Sequence, residues 1–210
     1  MHLTIFGATG AVGGELVRQA VDAGHDVTAV VRRPTPALTG GGRLTVATAD
    51  LTDPASLVPM IDGCDAVLSA IGSPGRAVST SRTDTAEKII EAMAKASARR
   101  LIVVSASAAF TEEDDGPVAH FLVKPLVRKI LKGPFSDARA MEAVVRESGL
   151  DWTIMRPPRL TDGRLTRDYR IGVDRGLRGG YRVARADLAD CMLGLIDDPD
   201  FLHCTVTPGY

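Results

Sequence analysis

The chain has 210 residues, of which 45% are hydrophobic and 24% charged, and its formal net charge is -1. That size and balance fit one α/β domain with a real core, exclude disorder, and leave no global field to draw the chain to nucleic acid. No run reaches the roughly eighteen apolar residues of a membrane span, and residues 1–20 lack the pattern of an export signal, so a cytoplasmic location is expected.

In chain order, the first element is a strand over 3–6, which enters the Gly-rich turn Gly7-Ala8-Thr9-Gly10-Ala11-Val12-Gly13. A helix follows, because Val12, Leu16, Val17, Ala20 and Val21 recur at helical spacing. In this GxxGxxG arrangement Gly7 lets the chain turn, Gly10 lets backbone N–H groups approach a pyrophosphate, and Gly13 lets the helix pack on the strand. The helix N-terminus then faces the anion with its unpaired N–H groups and dipole. Further strands are expected over 26–31, 44–47, 66–70, 101–105 and 152–155. Helices are expected over 83–98, with Ala86, Ile89, Ile90, Met93 and Ala94 inward, and over 136–147, with Met141, Val144 and Val145 inward. Gly149 stops the second of these helices, and Pro157-Pro158 ends the sixth strand. Residues 157–182 read as a loosened segment rich in Gly, Arg and Asp. A last helix over 185–196 and a short strand over 204–207 complete the chain. The alternation predicts a single Rossmann-like, doubly wound, mostly parallel sheet with helices on both faces, spanning 1–210 as one domain. Residues 106–133 and 157–182 are expected as loop or lid insertions over an acceptor site.

In such a sheet the ligand lies beyond the carboxyl ends of the strands, where the strand order reverses, so the residues after each strand are the informative ones. After the second strand come Arg32 and Arg33, where an NAD-preferring site would place an acid on the ribose 2′-hydroxyl. A guanidinium pair suits a 2′-phosphate and favours NADP(H), although a solvated loop would use the same residues. Asp50 and Leu51 follow the third strand, where they would hold and cover adenine; Asp50 is equally placed to cap the next helix. Ala70, Ile71 and Gly72 follow the fourth, where the inner ribose would pass, and a tight turn also accounts for Gly72. Cys64, Cys191 and Cys204 form no CxxC pair, so they are expected to be reduced, buried and inert, with no metal site.

The phrases TIFGATGAVGGELV, VVRRP, ADLTD, SAIG, VVSAS and SGLDWTIMRPPRLTDG together resemble the atypical short-chain dehydrogenase/reductase group of NAD(P)H-binding proteins. Within it they are most similar to the flavin reductase/biliverdin reductase B and NmrA-like branch. The resemblance implies a Rossmann domain with NADP(H) along the strand ends, and either hydride transfer to a planar acceptor or redox sensing. It assigns Gly7, Thr9, Gly10, Ala11, Val12 and Gly13 to the pyrophosphate, Arg32 and Arg33 to the 2′-phosphate, Asp50 and Leu51 to adenine, and Ala70, Ile71 and Gly72 to the inner ribose. Ser105 at the end of strand five joins the cofactor set. Ser107 matches a serine beside the nicotinamide, and Pro157 and Pro158 match the lining of that pocket. Arg159 stands where the biliverdin reductase branch has a histidine near its acceptor. Ser107 and Arg159 are therefore the catalytic candidates, although a strand-end serine and a surface arginine are the plainer readings of the same residues.

One departure bears on the reaction. Classical members use a Tyr with a Lys four residues later as the proton donor. Here Tyr169, Tyr181 and Tyr210 all lie late and none has that Lys. His120 and Lys124 imitate the spacing, but Pro125 follows at once and chance accounts for it. The acidic run Glu112 to Asp115 reads as solvated, and the amphipathic stretch around 121–132 as a helix closing over the acceptor. Two functions remain. One is an NADPH-dependent reductase of flavins, quinones or related planar acceptors, without nucleic-acid or membrane partners. The other is a catalytically silent NADP(H)-binding sensor with a protein partner.

Overall fold

In a computed structural model, residues 1–36, 38–72, 80–110 and 132–210 are described, and side chains in the last stretch from residue 135 onward. The order of elements begins β1 (His2–Phe6), α1 (Ala11–Asp22), β2 (Asp26–Val31), β3 (Leu44–Thr48), α2 (Pro54–Ile61), β4 (Ala66–Ser69), α3 (Ser81–Lys95) and β5 (Arg100–Val104). A 3₁₀ turn (Ser107–Ala109) follows, then α4 (Lys132–Glu147), β6 (Asp151–Met155), β7 (Arg159–Thr161), β8 (Arg170–Val173), β9 (Arg182–Ala184), α5 (Arg185–Gly194) and β10 (Cys204–Gly209). Among the described residues the main sheet has eight strands in the order β3-β2-β1-β4-β5-β6-β10-β8, and of these only β8 runs antiparallel to its neighbour. The chain winds outward from β1 to β3 and then outward the other way from β4, so the order reverses between β1 and β4. That seam is where a doubly wound sheet opens to a ligand.

Two apolar layers cover the sheet. Leu3, Ile5, Leu68, Ile102 and Val206 face Leu16, Val17 and Ala20 of α1 and Leu188 and Met192 of α5. On the other face Phe6, Val67, Leu101, Val103 and Ile154 meet Leu57 and Ile61 of α2, Ile89 and Met93 of α3, and Met141 and Val145 of α4. Strand residues thus alternate between two buried faces, as a parallel sheet covered on both sides requires. In α3 the inward set is Ala86, Ile89, Ala92 and Met93; Ala94, expected inward, is exposed. Asp137 of α4, only 3% exposed, accepts from the backbone N–H groups of Arg82 and Thr83 at the start of α3. A carboxylate from one helix therefore caps the next and fixes the angle between them.

Residues 157–182, expected as an irregular segment, contain three short strands. β7 and β9 pair in parallel as a separate ribbon, while β8 extends the main sheet along β10. Asp187, fully buried in the first turn of α5, accepts from Thr166 N, Thr166 Oγ1 and Arg167 N and ties the segment down. Strands of three or four residues are too short for alternation to stand out in a sequence. The helix expected after Asp50, without bounds, is α2: Asp53 caps it through Ala55 N, and Pro59 inside its eight residues breaks the usual pattern. The acidic run, the His120/Lys124 pair and most of the amphipathic stretch lie outside the described residues. Among the described residues no helix is long and apolar enough to cross a membrane.

Candidate dinucleotide site

The cradle forms where β1 ends. Gly7 takes a positive φ of 76°, and a Cβ there would stand 2.8 Å from the Ala70 carbonyl after β4. A Cβ on Gly13 would stand 2.0 Å from the Gly7 carbonyl oxygen, so the first turn of α1 lies directly on the bend. Both positions accept no side chain without backbone displacement. Gly10 is the N-cap of α1 and offers no side-chain cap, the first turn carries no acid, and Thr9, Gly10 and Ala11 are exposed. The first N–H groups of a helix lack intrahelical acceptors, and this turn leaves them open to an anion. Val12, 8% exposed, buries its side chain in the core, so only its backbone can serve the site. A diphosphate fits this arrangement.

Beyond the cradle, a cavity of about 810 Å³ is lined by Thr9, by residues 31–35 after β2 and by residues 48–52 after β3. Arg32 and Arg33 are exposed there, and neither guanidinium has an ion-pair or hydrogen-bond partner among the described residues. Asp50 shares the cavity, but its Oδ1 accepts from Thr52 N at 2.9 Å and Thr52 Oγ1 at 2.7 Å. These bonds hold its carboxyl below the usual range, the backbone N–H foremost. The helix-capping alternative for Asp50 is corrected, because Asp53 fills that role. Leu51 is half-buried against the core and forms part of the wall.

On the other side of the seam, Ala70 donates its N–H to the Phe6 carbonyl and continues the β1 to β4 pairing. Ile71 is half-buried against the core, and Gly72 is exposed. Ser105 extends β5 by donating its N–H to the Met155 carbonyl at 2.7 Å, and its own hydroxyl is buried without a hydrogen-bond partner among the described residues. Ser107 opens the 3₁₀ turn and donates its N–H to the Pro157 carbonyl at 3.1 Å, which brings two sequence-distant candidates into contact. Arg159 begins β7, exposed, with its backbone N–H on the Tyr181 carbonyl. From β2 to β5 is three strand steps, about 14 Å at ~4.8 Å each, and the candidates at those strand ends form one row.

Sequence reasoning missed what holds the 3₁₀ turn. Arg156, first residue after β6, pairs through Nε and Nη2 with both carboxylate oxygens of Glu142, at 3.1 and 2.7 Å. Their side chains are 11% and 2% exposed. The same guanidinium stacks 3.7 Å from the Phe110 ring centroid, and Arg139 donates Nε to the Ala109 carbonyl at 2.7 Å. Glu142 stood at an inward helical position beside Met141, and a charged residue there was the available signal.

None of the three tyrosines has the setting of a proton donor beside Ser107. Tyr169 donates its hydroxyl to Asp190, and burial raises its pKa well above the ordinary phenol value. Tyr210 accepts from Ala184 N with its hydroxyl, and Tyr181 is 64% exposed. Burial pushes the Cys191 and Cys204 thiols up to about 12 and about 11, which suits inert cysteines; Cys64, expected buried, is only partly so.

Against known proteins, the chain is 31% identical to a (4-alkanoyl-5-oxo-2,5-dihydrofuran-3-yl)methyl phosphate reductase of Streptomyces griseus over 191 residues, 90% of this chain. It spans 59% of the length of that reductase. A short-chain dehydrogenase/reductase from Veillonella parvula, solved in complex with NADP, superposes with a TM-score of 0.83 at 20% identity, covering 100% of this chain and 94% of that one. A Streptococcus pneumoniae protein, provisionally described as an NADH-flavin reductase, does so with a TM-score of 0.73 at 21% identity, covering 100% and 99%. At these identities the superpositions speak for the fold. The family model described as NAD(P)H-binding matches residues 7–199. The cradle and the cavity beyond it lie at the strand ends of this matched region, and the chain belongs to the NAD(P)H-binding family.

Proposed function

We propose that the protein is an NADPH-dependent reductase that passes hydride to a flavin or another planar conjugated acceptor. The observation that carries the cofactor preference is the pair of guanidiniums, Arg32 and Arg33, unpartnered among the described residues in the cavity beyond the cradle. They stand where an NAD site would keep an acid for the 2′-hydroxyl, and a phosphate gives two such groups charge-assisted bonds. When bound, the reduced nicotinamide supplies a hydride, and the acceptor completes its reduction with one proton from water. The chain's own residues orient the partners. The cradle N–H groups hold the diphosphate, the orphan Ser105 hydroxyl and the 70–72 backbone meet the inner ribose, and Ser107 with Pro157 forms the wall at the acceptor end. The reaction named for the Streptomyces relative is itself a reduction.

The commitment of Tyr169 and Tyr210 to other partners weighs against carbonyl–alcohol chemistry, which needs a positioned acid, and less against flavin reduction. It also favours a second reading, a silent NADP(H)-binding regulatory protein. Steady NADPH oxidation with FMN, riboflavin and quinones decides between them. Turnover that falls at least tenfold in Ser107→Ala supports the reductase. Tight NADPH binding with no turnover on any acceptor supports the regulator.

A further inference from the structure

The ribbon of β7 and β9 places Arg159 directly opposite Arg182. Directly opposed residues in a parallel ladder project from the same side of the ribbon, with Cβ atoms about 5 Å apart, and like charges there repel. Both side chains are exposed, and neither guanidinium has a carboxylate or hydrogen-bond partner among the described residues. Two neighbouring arginines are paired. Arg167 is paired with Asp190 at 2.8 Å, and Arg185 holds Asp162, the acid closest in sequence to Arg159. The alternate positions Leu160 and Val183 turn to the core, so the ribbon cannot rotate to part the two charges. Arg182 also rests over the Tyr210 ring at 5.9 Å, and that ring is fixed by its hydroxyl on Ala184 N. The site is therefore two held, uncompensated cations. It begins two residues beyond Pro157, whose carbonyl accepts from Ser107, so chain length alone keeps Arg159 within about 7 Å of the acceptor end.

We infer that Arg159 and Arg182 form a clamp for an anionic group, a phosphate or carboxylate, carried by the acceptor, with Arg182 a specificity-determining residue. The inference rests on the reading of Ser107 and Pro157 as the acceptor end. Two guanidiniums side by side match the oxygens of one phosphate, and the repulsion between them falls when the anion is seated.

FMN and riboflavin make the test, since they share the redox ring and differ in the phosphate. With NADP+ present, binding is followed by quenching of flavin fluorescence; NADPH oxidation is followed separately. The protein is expected to bind FMN at least tenfold more tightly than riboflavin. Arg182→Ala should cut that preference severalfold, and Arg159→Ala with Arg182→Ala should bring the ratio close to one. Arg182→Lys should keep part of it. The unfolding midpoint of the double variant should not fall, because a repulsive pair is removed, whereas a merely structural pair would lower it. Equal affinity for the two flavins, a preference untouched by the double substitution, or failure of FMN to bind overturns the clamp. Inorganic phosphate that displaces FMN while leaving riboflavin bound supports it; phosphate bound to the pair while FMN behaves like riboflavin assigns the site to a free anion and overturns it. Turnover without a phosphate preference refutes the clamp alone. A phosphate preference without turnover refutes the reductase and keeps the clamp.

Discussion

Replacing Arg32 and Arg33 together by alanine should separate the two pyridine dinucleotides. A hydrogen bond to a charged group contributes about 1.5–3 kcal/mol when well formed, and exposure of both guanidiniums discounts each to about 1 kcal/mol. Both are free of other partners among the described residues, so no internal bond offsets the loss. The sum is about 2 kcal/mol, or roughly thirtyfold in Kd for NADPH. NADH has only a hydroxyl at the same position and should lose less than about threefold, the effect of 0.6 kcal/mol. Isothermal calorimetry at fixed, moderate salt reads both constants directly, and raising the salt should shrink the difference through screening. Equal losses for NADPH and NADH would refute the assignment of this pair to a 2′-phosphate. No heat from either dinucleotide with the folded wild type would refute the site itself.

Three further outcomes test the structure. Glu142→Ala leaves Arg156 buried without its carboxylate and should cost about 3–5 kcal/mol, a fall in Tm of roughly 6–20 °C for a domain of this size, read by calorimetry. A loss below about 1 kcal/mol would mean the pair is solvated. Gly13→Ala sets a methyl 2.0 Å from the Gly7 oxygen, so both stability and dinucleotide binding should drop, while Gly14→Ala, whose Cβ meets its nearest neighbour at 3.8 Å, should be tolerated. Asp151 has its carboxyl held down chiefly by the Arg99 hydrogen bond, so it contributes stability that is present above about pH 4, its unfolded value, and is lost as pH falls through the lower folded value. Arg99→Ala should therefore flatten the acid limb of the stability curve below pH 4 and change stability at neutral pH little, because the pair is exposed to solvent.

The parts legible in the sequence were those with a long period or a steric demand. Val27, Ala29, Val30 and Val31 are apolar because both faces of β2 are covered, and Gly7 and Gly13 are glycine because no Cβ fits. The strand ends therefore single out Arg32, Arg33 and Ala70 as candidates, whereas Ser107 follows from the family resemblance. Other features depend on contacts between distant residues. Asp137 caps a helix 54 positions away, and Glu142 meets Arg156 across a helix–strand interface. Neither relation has a local pattern. The opposition of Arg159 and Arg182 was hidden for another reason: its strands are three residues long and are separated by a segment that Asp187 anchors at Thr166 and Arg167.

Strand β10 lies inside the sheet, between β6 and β8, although it is the last strand in chain order. Until residues 204–209 leave the ribosome, a nascent chain carries an open apolar margin along Ile154 and Met155, and β8 has nothing to dock on. Such unpaired margins recruit other chains, so the interval before this insertion is when aggregation competes hardest and when a holdase would be most useful.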